Sequence, residues 1–381
     1  MSGEMARGKT SIVGAATYGI GKCPGHSSLE MAGKAALLAL DDAAIPLADV
    51  DGLFICLSDD IFAGLTLAEY LGIRPKFTDC NRTGGSAPVS HLVTATNLLA
   101  AGEIDVALLA YGSNQLSVGG ALSTPARPSA YEAPYKPLFP ASGYALAAAR
   151  HMHQFGTTRE QLAAVAVAAR QWANGNPEAF SKGELTINDC LNARMISEPL
   201  SKNDFCLVTD GAAAIVLTRA DRARDARREP IAVLGAAAAT WHHHISAMPD
   251  LTLTAASESG PRALAQAGLT CADVDVVQLY DAFTINTILF LEDLGFCAKG
   301  EGGAFVESGA IGPGGSLPVN TNGGGLSCVH PGMYGLFAIV ESVRQLRGDA
   351  ANQIEGAQVA LAHTSGGSLS SQATAVFARA A

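Results

Sequence analysis

The densest group of potential metal ligands in this chain is His242-His243-His244, which follows Trp241. Adjacent imidazoles rarely point toward one metal ion, and no Cys or carboxylate is spaced to complete a site with them. The segment therefore predicts a loop, and we expect no metal centre.

Eight cysteines are scattered along the chain, and none forms a Cys-x-x-Cys pair. Several lie in or beside apolar segments, which is typical of reduced and mostly buried thiols. We therefore expect a cytoplasmic protein without disulfides. The cysteines are Cys23, Cys56, Cys80, Cys190, Cys206, Cys271, Cys297 and Cys328.

Several function classes lose support from what the sequence lacks. It has no Gly-x-x-x-x-Gly-Lys phosphate loop, no Gly-x-Gly-x-x-Gly dinucleotide fingerprint and no Gly-x-Ser-x-Gly elbow of a serine hydrolase. The formal net charge is −10, whereas nucleic-acid binding needs a basic face. These absences argue against ATP, NAD and nucleic acid as ligands.

Length and composition indicate a large folded unit. The chain has 381 residues, of which 48% are hydrophobic and 16% are charged, enough for a sizeable core. No apolar run reaches the roughly 18 residues that a membrane helix needs. The segment Met1–Thr10 lacks the apolar core of a signal peptide, which also favours the cytoplasm.

The chain repeats itself at long period, in four pairs of segments that occur in the same order. A repeated α/β unit explains such an order better than coincidence does. Residues 11–16 pair with 232–237, 43–51 with 267–275, 81–85 with 320–324, and 106–109 with 359–362. The apolar run Val106–Ala110 is typical of a strand buried on both faces. We therefore predict two duplicated halves, with boundaries at 1–225 and 226–381.

Residues 113–200 interrupt the repeat in the first half. This excursion is rich in proline and then continues as an alanine-rich helical stretch, Tyr144–Ala173. We expect His151 and His153 on the surface of that helix. The charged run Arg219–Arg228 is typical of a solvated linker between the halves.

Three segments of this chain resemble the thiolase superfamily, in particular the sterol-carrier-protein-type thiolases and their thiolase-like relatives. The first is Asn320–Pro331, which is similar to the thiolase block that carries the catalytic histidine, here His330. The second is Asp204–Ala213, and the third is Tyr280-Asp281-Ala282-Phe283-Thr284. The resemblance covers nearly the whole chain.

The resemblance implies a fold, a substrate and an assembly. The fold is a five-layered α-β-α-β-α sandwich of two βαβαβαββ halves. The substrate is an acyl-CoA thioester, so coenzyme A arrives with the substrate and no tightly bound cofactor is expected. Relatives pair as homodimers through the sheet edge of the first half, and some work with a small zinc-ribbon and oligonucleotide-fold partner.

One departure from the family pattern decides the chemistry. In thiolases a nucleophilic Cys opens the helix that follows the first glycine-rich loop. Counting back from Gly102 places Gly85 at the position of that Cys. Ser86 could cap the helix or act as a nucleophile, which would need an adjacent base such as His330 or His363. Cys80 lies on the other side of two glycines and is either a structural thiol or a substitute nucleophile.

Two more departures concern the groups that move protons. His363 aligns with the second thiolase cysteine, and the turn that follows it, which includes Ser365 and Gly366, offers N–H groups to a thioester oxyanion. The alternative is a glycine turn with a capping His. Tyr280 replaces an oxyanion-hole Asn or His and could act as a general acid, or it could be a buried strand-end Tyr. Further candidates for substrate binding are Gly85, Asp281, Asn322 and Tyr334.

The expected activity is therefore carbon–carbon bond chemistry next to a thioester, without an acyl-enzyme. Retro-aldol cleavage of a β-hydroxyacyl thioester is its concrete form. In it His330 stabilises the thioester oxyanion while Tyr280 and His363 move protons. Two alternatives stay open, namely acyl transfer of the acetyl-CoA acetyltransferase type and a non-catalytic subunit that binds acyl-CoA or lipid.

Overall fold

The structure is a computed structural model that describes residues 7–119, 129–223 and 226–380. Within these ranges the strands are β1 (Thr10–Gly21), β2 (Gly52–Ile55), β3 (Phe77–Asp79), β4 (Val106–Ser113), β5 (Met195–Ser197), β6 (Leu200–Ser201), β7 (Asp210–Arg219), β8 (Ile231–Thr240), β9 (Val276–Leu279), β10 (Val359–Gly366) and β11 (Ser371–Arg379). The helices are α1 (Ser28–Ala43), α2 (Ala63–Leu71), α3 (Ala87–Ala101), α4 (Ala141–Phe155), α5 (Arg159–Gly175), α6 (Ile187–Leu191), α7 (Ala220–Ala223), α8 (Ala256–Ala267), α9 (Thr284–Leu294), α10 (Gly302–Glu307) and α11 (Gly335–Arg347).

Nine strands form one mixed sheet in the order β3-β2-β4-β7-β1-β8-β11-β10-β9. The first five belong to the first half of the chain and the last four to the second half. The halves join where β1 pairs antiparallel with β8, with Ser11 opposite Ala232 and Ile12 opposite Ile231. Within each half, consecutive β-α-β strands run parallel and the last strands run antiparallel.

The central helices lie between the two parts of the sheet. Helix α3 contacts β2 and β4 of the first half and β8 and β11 of the second, and α11 contacts strands of both halves as well. Helix α1 packs on the other face of the first part, and α8 on the other face of the second. The predicted five-layered sandwich is therefore confirmed.

The predicted duplication is also confirmed, because each repeated segment occupies the same place in its half. The pairs are β1 with β8, α1 with α8, β2 with β9, α3 with α11, β4 with β10 and β7 with β11. A parallel bridge between Val277 and Val319 takes the place that the β2–β3 pairing has in the first half.

The excursion between β4 and β7 contains α4, α5, α6 and the small β5–β6 pair. The prediction of a single helical stretch is wrong, because the helix is interrupted between Phe155 and Arg159. Gly156 ends α4 with φ 77°, and Thr158 opens α5 with a capping box to Gln161. Residues 120–128 of the predicted excursion and the predicted boundary at residue 225 lie outside the described residues.

The predicted surface position of His151 is wrong, whereas His153 is exposed. His151 is fully buried, with Nδ1 2.7 Å from Thr157 Oγ1 and Nε2 3.0 Å from Glu292 Oε2. This contact ties α4 of the excursion to α9 of the second half. In the part of the chain that the structure describes, no helix is long and apolar enough to span a membrane.

Candidate active site

The N-terminal ends of α3 and α11 meet in the middle layer. In the first half a short 3₁₀ turn, Gly84–Ser86, leads into α3. In the second half the π-helical turn Gly324–Cys328 precedes His330, and Gly335 opens α11. A Cβ on Gly335 would overlap the carbonyl oxygen of Gly85, so the two junctions are in backbone contact.

Tyr280 and His330 form a hydrogen-bonded pair at this junction. The Tyr280 Oη atom, just beyond β9, lies 3.0 Å from His330 Nε2 and 3.3 Å from the carbonyl oxygen of Gly332. The two rings meet edge to face, with centroids 5.6 Å apart. The pair can pass a proton between phenol and imidazole, and its direction depends on the imidazole tautomer.

Burial keeps both members of the pair neutral at pH 7. Tyr280 is 5% exposed and His330 is 4% exposed. Burial lowers the pKa of His330 to about 4 and raises the pKa of Tyr280 well above its ordinary value. Both groups can therefore engage a neutral carbonyl or hydroxyl without first losing a charge.

Several buried polar atoms near this pair have no hydrogen-bond partner among the described residues, and they include Nδ1 of His330 and Oγ of Ser365. Buried polar atoms are nearly always paired in folded proteins, and the exceptions concentrate at functional positions. Both atoms are thus candidates for contact with a substrate.

Gly85 provides the space that the Tyr280 ring occupies. A Cβ on Gly85 would overlap the Tyr280 ring and would lie 2.6 Å from the carbonyl oxygen of Ser365. A Cys at position 85 and a Tyr at position 280 therefore exclude each other in this backbone. The absence of the expected nucleophile and the presence of the phenol are one structural feature.

The structure does not place Ser86 or Cys80 as an activated nucleophile. The Ser86 hydroxyl is fully buried, 3.0 Å from the carbonyl oxygen of Thr83 and 2.9 Å from Ser371 Oγ, and its side chain does not cap α3 as predicted. The Cys80 thiol contacts the carbonyl oxygen of Ile61 at 3.6 Å and packs against the outer core of the first half. Among the described residues, neither side chain is hydrogen-bonded to a histidine.

Asp281 braces the turn that leads to His330. Its carboxylate accepts the N–H of Gly325 at 2.6 Å and that of Leu326 at 3.3 Å. Burial raises the pKa of Asp281 to about 6, and these two N–H groups oppose the rise. Asp281 thus acts on the site through the backbone that carries His330.

Asn322 and Tyr334 also stabilise the turn that precedes His330. The Tyr334 hydroxyl donates to Asn322 Oδ1 at 2.9 Å, and that oxygen also accepts the N–H of Gly324 at 2.8 Å. The Tyr334 ring lies edge to face with Tyr280, with centroids 6.1 Å apart. The structure therefore brings together, next to Tyr280, four predicted residues of the second half: Asp281, Asn322, His330 and Tyr334.

The backbone of His363 lies next to Tyr280, but its side chain is hydrogen-bonded to other residues. Its Nδ1 lies 2.8 Å from Thr374 Oγ1, its Nε2 lies 3.1 Å from Gln372 Oε1, and its ring faces Phe290. Burial lowers its pKa to about 3. Both ring nitrogens thus have partners outside the Tyr280–His330 pair.

The turn Gly366–Gly367 packs directly against the first-half loop. A Cβ on Gly366 would overlap the carbonyl oxygen of Thr83, and one on Gly84 would lie 2.9 Å from the Gly367 nitrogen. The predicted oxyanion turn and the position of the missing nucleophile are therefore neighbours.

Sequence reasoning missed an aromatic wall from the excursion. Tyr144 of α4 stacks on Phe283 with ring centroids 3.9 Å apart, and its hydroxyl donates to the carbonyl oxygen of Gly367 at 2.8 Å. The available signal was Phe283 itself, three residues after Tyr280. Nothing in the excursion marked Tyr144 as its partner.

A cavity of about 670 Å³ lies beside the same turn. The excursion contributes Leu138, Phe139 and Leu146, the loop after β8 contributes Ile245, and Ser368 borders it next to Gly367. His242 Nε2 lies 3.1 Å from the Ser368 carbonyl oxygen. Across the described ranges no group of three or more His, Cys, Asp or Glu is arranged to hold a metal ion.

The chain matches known proteins over most of its length. The family described as "Thiolase C-terminal domain-like" matches residues 237–379. The chain is 35% identical over 376 residues to the 17-hydroxy-3-oxo-4-pregnene-20-carboxyl-CoA lyase of Mycobacterium tuberculosis. This alignment covers 93% of this chain and 95% of that protein. It is 34% identical over 389 residues to the acetyl-CoA acetyltransferase of Methanothermobacter thermautotrophicus, with 97% and 99% covered.

A solved structure agrees with these relatives. The "Ltp2-ChsH2(DUF35) aldolase" superposes with a TM-score of 0.90 and 31% sequence identity, over 98% of this chain and 99% of that one. The similarity thus extends to proteins named for bond cleavage as well as for acyl transfer.

Proposed function

Because the chain belongs to the thiolase superfamily, in its sterol-carrier-protein-type branch, we propose that it cleaves a carbon–carbon bond next to the carbonyl of an acyl-CoA thioester. The proposed reaction is the retro-aldol cleavage of a β-hydroxyacyl thioester without an acyl-enzyme. The observation that carries it is the Tyr280 ring, which fills the side-chain space at Gly85 and pairs with His330.

The bonds and charges of this step balance within the substrate. A base removes the proton of the β-hydroxyl group, and the freed electron pair forms a carbonyl. The bond between the α and β carbons breaks, and its electron pair becomes the enolate of the shortened thioester. A proton delivered to the α carbon completes the reaction, so no oxidant or nucleophilic residue is needed.

We assign the proton transfers to the Tyr280–His330 pair, because its two members exchange a hydrogen bond and are neutral at pH 7. The unpaired Nδ1 of His330 and Oγ of Ser365 are suited to hold substrate oxygens. Enolate formation places charge on the thioester oxygen, which such donors stabilise. His363 lies outside this proton path, because Thr374 and Gln372 engage both of its ring nitrogens.

The remaining predicted residues position this pair. Gly85 leaves room for the phenol, and Gly366 allows the oxyanion turn to approach the first-half loop. Asp281 and Asn322 hold the backbone before His330, and Tyr334 packs against Tyr280. Ser86 stabilises the junction through Thr83 and Ser371.

The acyl group is proposed to be large and apolar. The Mycobacterium tuberculosis relative is named for a steroid-derived carboxyl-CoA, and the cavity of about 670 Å³ next to Ser368 has room for a body of that kind. An acetyl group would leave most of this space empty.

The test is to measure the intact mass of the protein after incubation with acetyl-CoA, with longer acyl-CoAs and with a steroid-type β-hydroxyacyl-CoA. Shortened acyl-CoA and the released carbonyl product are quantified in the same samples. We expect turnover of the β-hydroxyacyl thioester and no protein adduct. A stable acyl adduct on Ser86 or Cys80 would instead establish acyl transfer of the acetyltransferase type.

The binding-subunit alternative gives a third outcome. In that case no thioester is turned over by the wild-type protein, and His330→Ala leaves thioester affinity unchanged. Loss of turnover in His330→Ala, with affinity kept within about twofold, supports catalysis.

We further propose a cytoplasmic homodimer that works with a small partner subunit. Strand β3 is the free edge of the first half, and exposed Ile61, Phe62 and Leu65 lie near it. The structural relative's name couples Ltp2 to ChsH2(DUF35). Sedimentation of wild type and Phe62→Glu tests the dimer, and the mutation is expected to give monomers.

A further inference from the structure

The cavity beside Ser368 has more acidic than basic side chains among its described lining residues. Its lining includes two carboxylates, Glu132 and Glu198, and one imidazole, His244. The described residues that line it include no Lys or Arg. The rest of the described lining is dominated by aromatic and aliphatic side chains such as Tyr131. The ionisable side chains among the described lining residues are therefore mainly acidic.

Glu132 is held in place as a hydrogen-bond acceptor. Its Oε1 accepts the N–H of Ser246 at 2.9 Å, and its Oε2 lies 4.0 Å from Nδ1 of His244. Burial is the largest single influence and raises the pKa of this carboxyl, but hydrogen bonds from Ser246 and Ser129 and the nearby His244 together leave the pKa below its ordinary value. Glu132 therefore offers an ionised oxygen at neutral pH.

This lining discriminates among polar groups that a bulky apolar body could carry. A hydroxyl group can donate to the carboxylate, and a keto oxygen cannot. A carboxylate or phosphate would meet carboxylates of the same charge, and the described lining residues offer it no Lys or Arg. The same charge disfavours the nucleotide end of coenzyme A in this cavity.

We propose that this cavity is a subsite for an uncharged, bulky apolar acyl body that bears a hydroxyl group, and that Glu132 and Glu198 select it against carboxylate-bearing acyl groups. This deepens the proposed function and rests on it. Glu132 recognises the hydroxyl as a fixed acceptor, and Glu198, which is exposed, repels anions at the rim.

The kinetic test uses three β-hydroxyacyl-CoA substrates with the same fused-ring body, which carries a hydroxyl, a keto or a carboxylate group remote from the thioester. We expect wild type to favour the hydroxyl compound over the carboxylate compound by at least about 10-fold in kcat/KM, mainly through KM. Glu132→Gln keeps the side-chain size and should narrow that ratio to within about threefold. Ser142→Ala, a neutral change in the same lining, is the control and should leave the ratio as in wild type.

A ratio unchanged by both Glu132→Gln and Glu198→Gln would overturn the proposal, as would a wild-type preference for the carboxylate compound.

A binding assay separates this failure from failure of the proposed function. Equilibrium dialysis of androstanol, androstanone and androstane carboxylic acid against wild type and Glu132→Gln needs no turnover. Tighter binding of the alcohol, lost in Glu132→Gln, supports the subsite even if no thioester is cleaved. Equal binding of alcohol and acid, or binding of neither, overturns it.

Discussion

The two halves of this molecule carry the same loop-to-helix junction, but the candidate catalytic side chains lie in only one half. In the first half the loop 81–85 leads into α3, Gly85 has no side chain, and Ser86 is sealed by Thr83 and Ser371. In the second half the loop 320–324 leads through His330 to α11, and His330 bonds to Tyr280.

The difference shows how a duplicated framework can change its chemistry without changing its fold. A helix N-terminus favours a nucleophilic thiolate, and Gly85 still lies at the N-terminus of helix α3. The Tyr280 ring from the second half occupies the space that a thiol would need. The first half thus contributes room and backbone, and the second half contributes Tyr280 and His330, the groups to which we assign the proton transfers.

The largest expected effect is that of Tyr280→Phe. The change keeps the ring that fills the space at Gly85 and removes only the hydroxyl that bonds to His330. Steady-state assays of β-hydroxyacyl-CoA cleavage should show kcat reduced by about 10³-fold, as for loss of a general acid–base group. Thermal unfolding is the control and should change little. Activity within 10-fold of wild type would show that the second half does not carry the chemistry.

His330→Ala should lower kcat by about 10²-fold, because it removes the partner of the phenol and a candidate ligand of the thioester oxygen. The matched control is His363→Ala, at a histidine whose ring nitrogens are engaged by Thr374 and Gln372. A kcat loss in His363→Ala as large as that in His330→Ala, without loss of stability, would return His363 to the proton path.

Gly85→Ala tests the link between the halves directly. The added Cβ would overlap the Tyr280 ring, so we expect at least about 10-fold lower kcat/KM and a loss of about 1–3 kcal/mol in the free energy of unfolding. Denaturant titrations in a Tyr280→Ala background should show a smaller cost for the same change. Equal costs in both backgrounds would mean that the ring does not limit position 85.

The acid limb of stability should depend on His330. Its pKa is about 4 in the folded protein and near 6.5 when unfolded, so below pH 6.5 the unfolded chain binds a proton that the native state does not. Stability is therefore lost as pH falls from about 6.5 through 4, by about 3 kcal/mol for this group. His330→Asn should flatten this part of the curve in denaturant titrations.

Asp281 contributes with the opposite sign. Its pKa of about 6 lies above its unfolded value of 3.8, so its contribution is complete below pH 3.8 and is lost as pH rises through 6. It is present in both wild type and His330→Asn, so their difference isolates the histidine. Parallel curves for the two proteins would contradict a buried neutral His330.

The smallest expected effect is that of Ser86→Ala. Its hydroxyl bonds within the junction and contacts no base, so kcat should stay within about threefold of wild type, with about 1 kcal/mol of stability lost. Mass spectrometry should find no acyl adduct in either protein. A large loss of kcat with unchanged stability would make the first half a participant in the chemistry.

The fold could be predicted from local patterns because they repeat. The resemblance of 43–51 to 267–275, and of 81–85 to 320–324, placed equivalent strands and helices in both halves. The absence of a Cys at position 85 could also be read from motif spacing, and the same motifs predicted a catalytic role for His330. Helix limits were less accurate, since the alanine-rich stretch gave no clear sign of the break at Gly156.

The remainder of the candidate site depends on contacts between distant segments. No pattern near His151 indicated that Glu292 would bury it, and nothing around Tyr144 indicated its stacking on Phe283. The engagement of His363 by Gln372 and Thr374 follows from the pairing of β10 with β11. Such contacts are set by how the layers pack.

By itself, the sequence determined the duplicated α/β architecture and the loss of a side chain at position 85, because periodicity, glycine placement and residue type are local properties. The tertiary structure alone decided that Tyr280 from the second half fills that space and bonds to His330. It also decided that the excursion forms part of the wall of a large cavity next to Ser368, lined by apolar and acidic side chains. Packing the two central helices end to end brings these groups within reach, and no single segment encodes that arrangement.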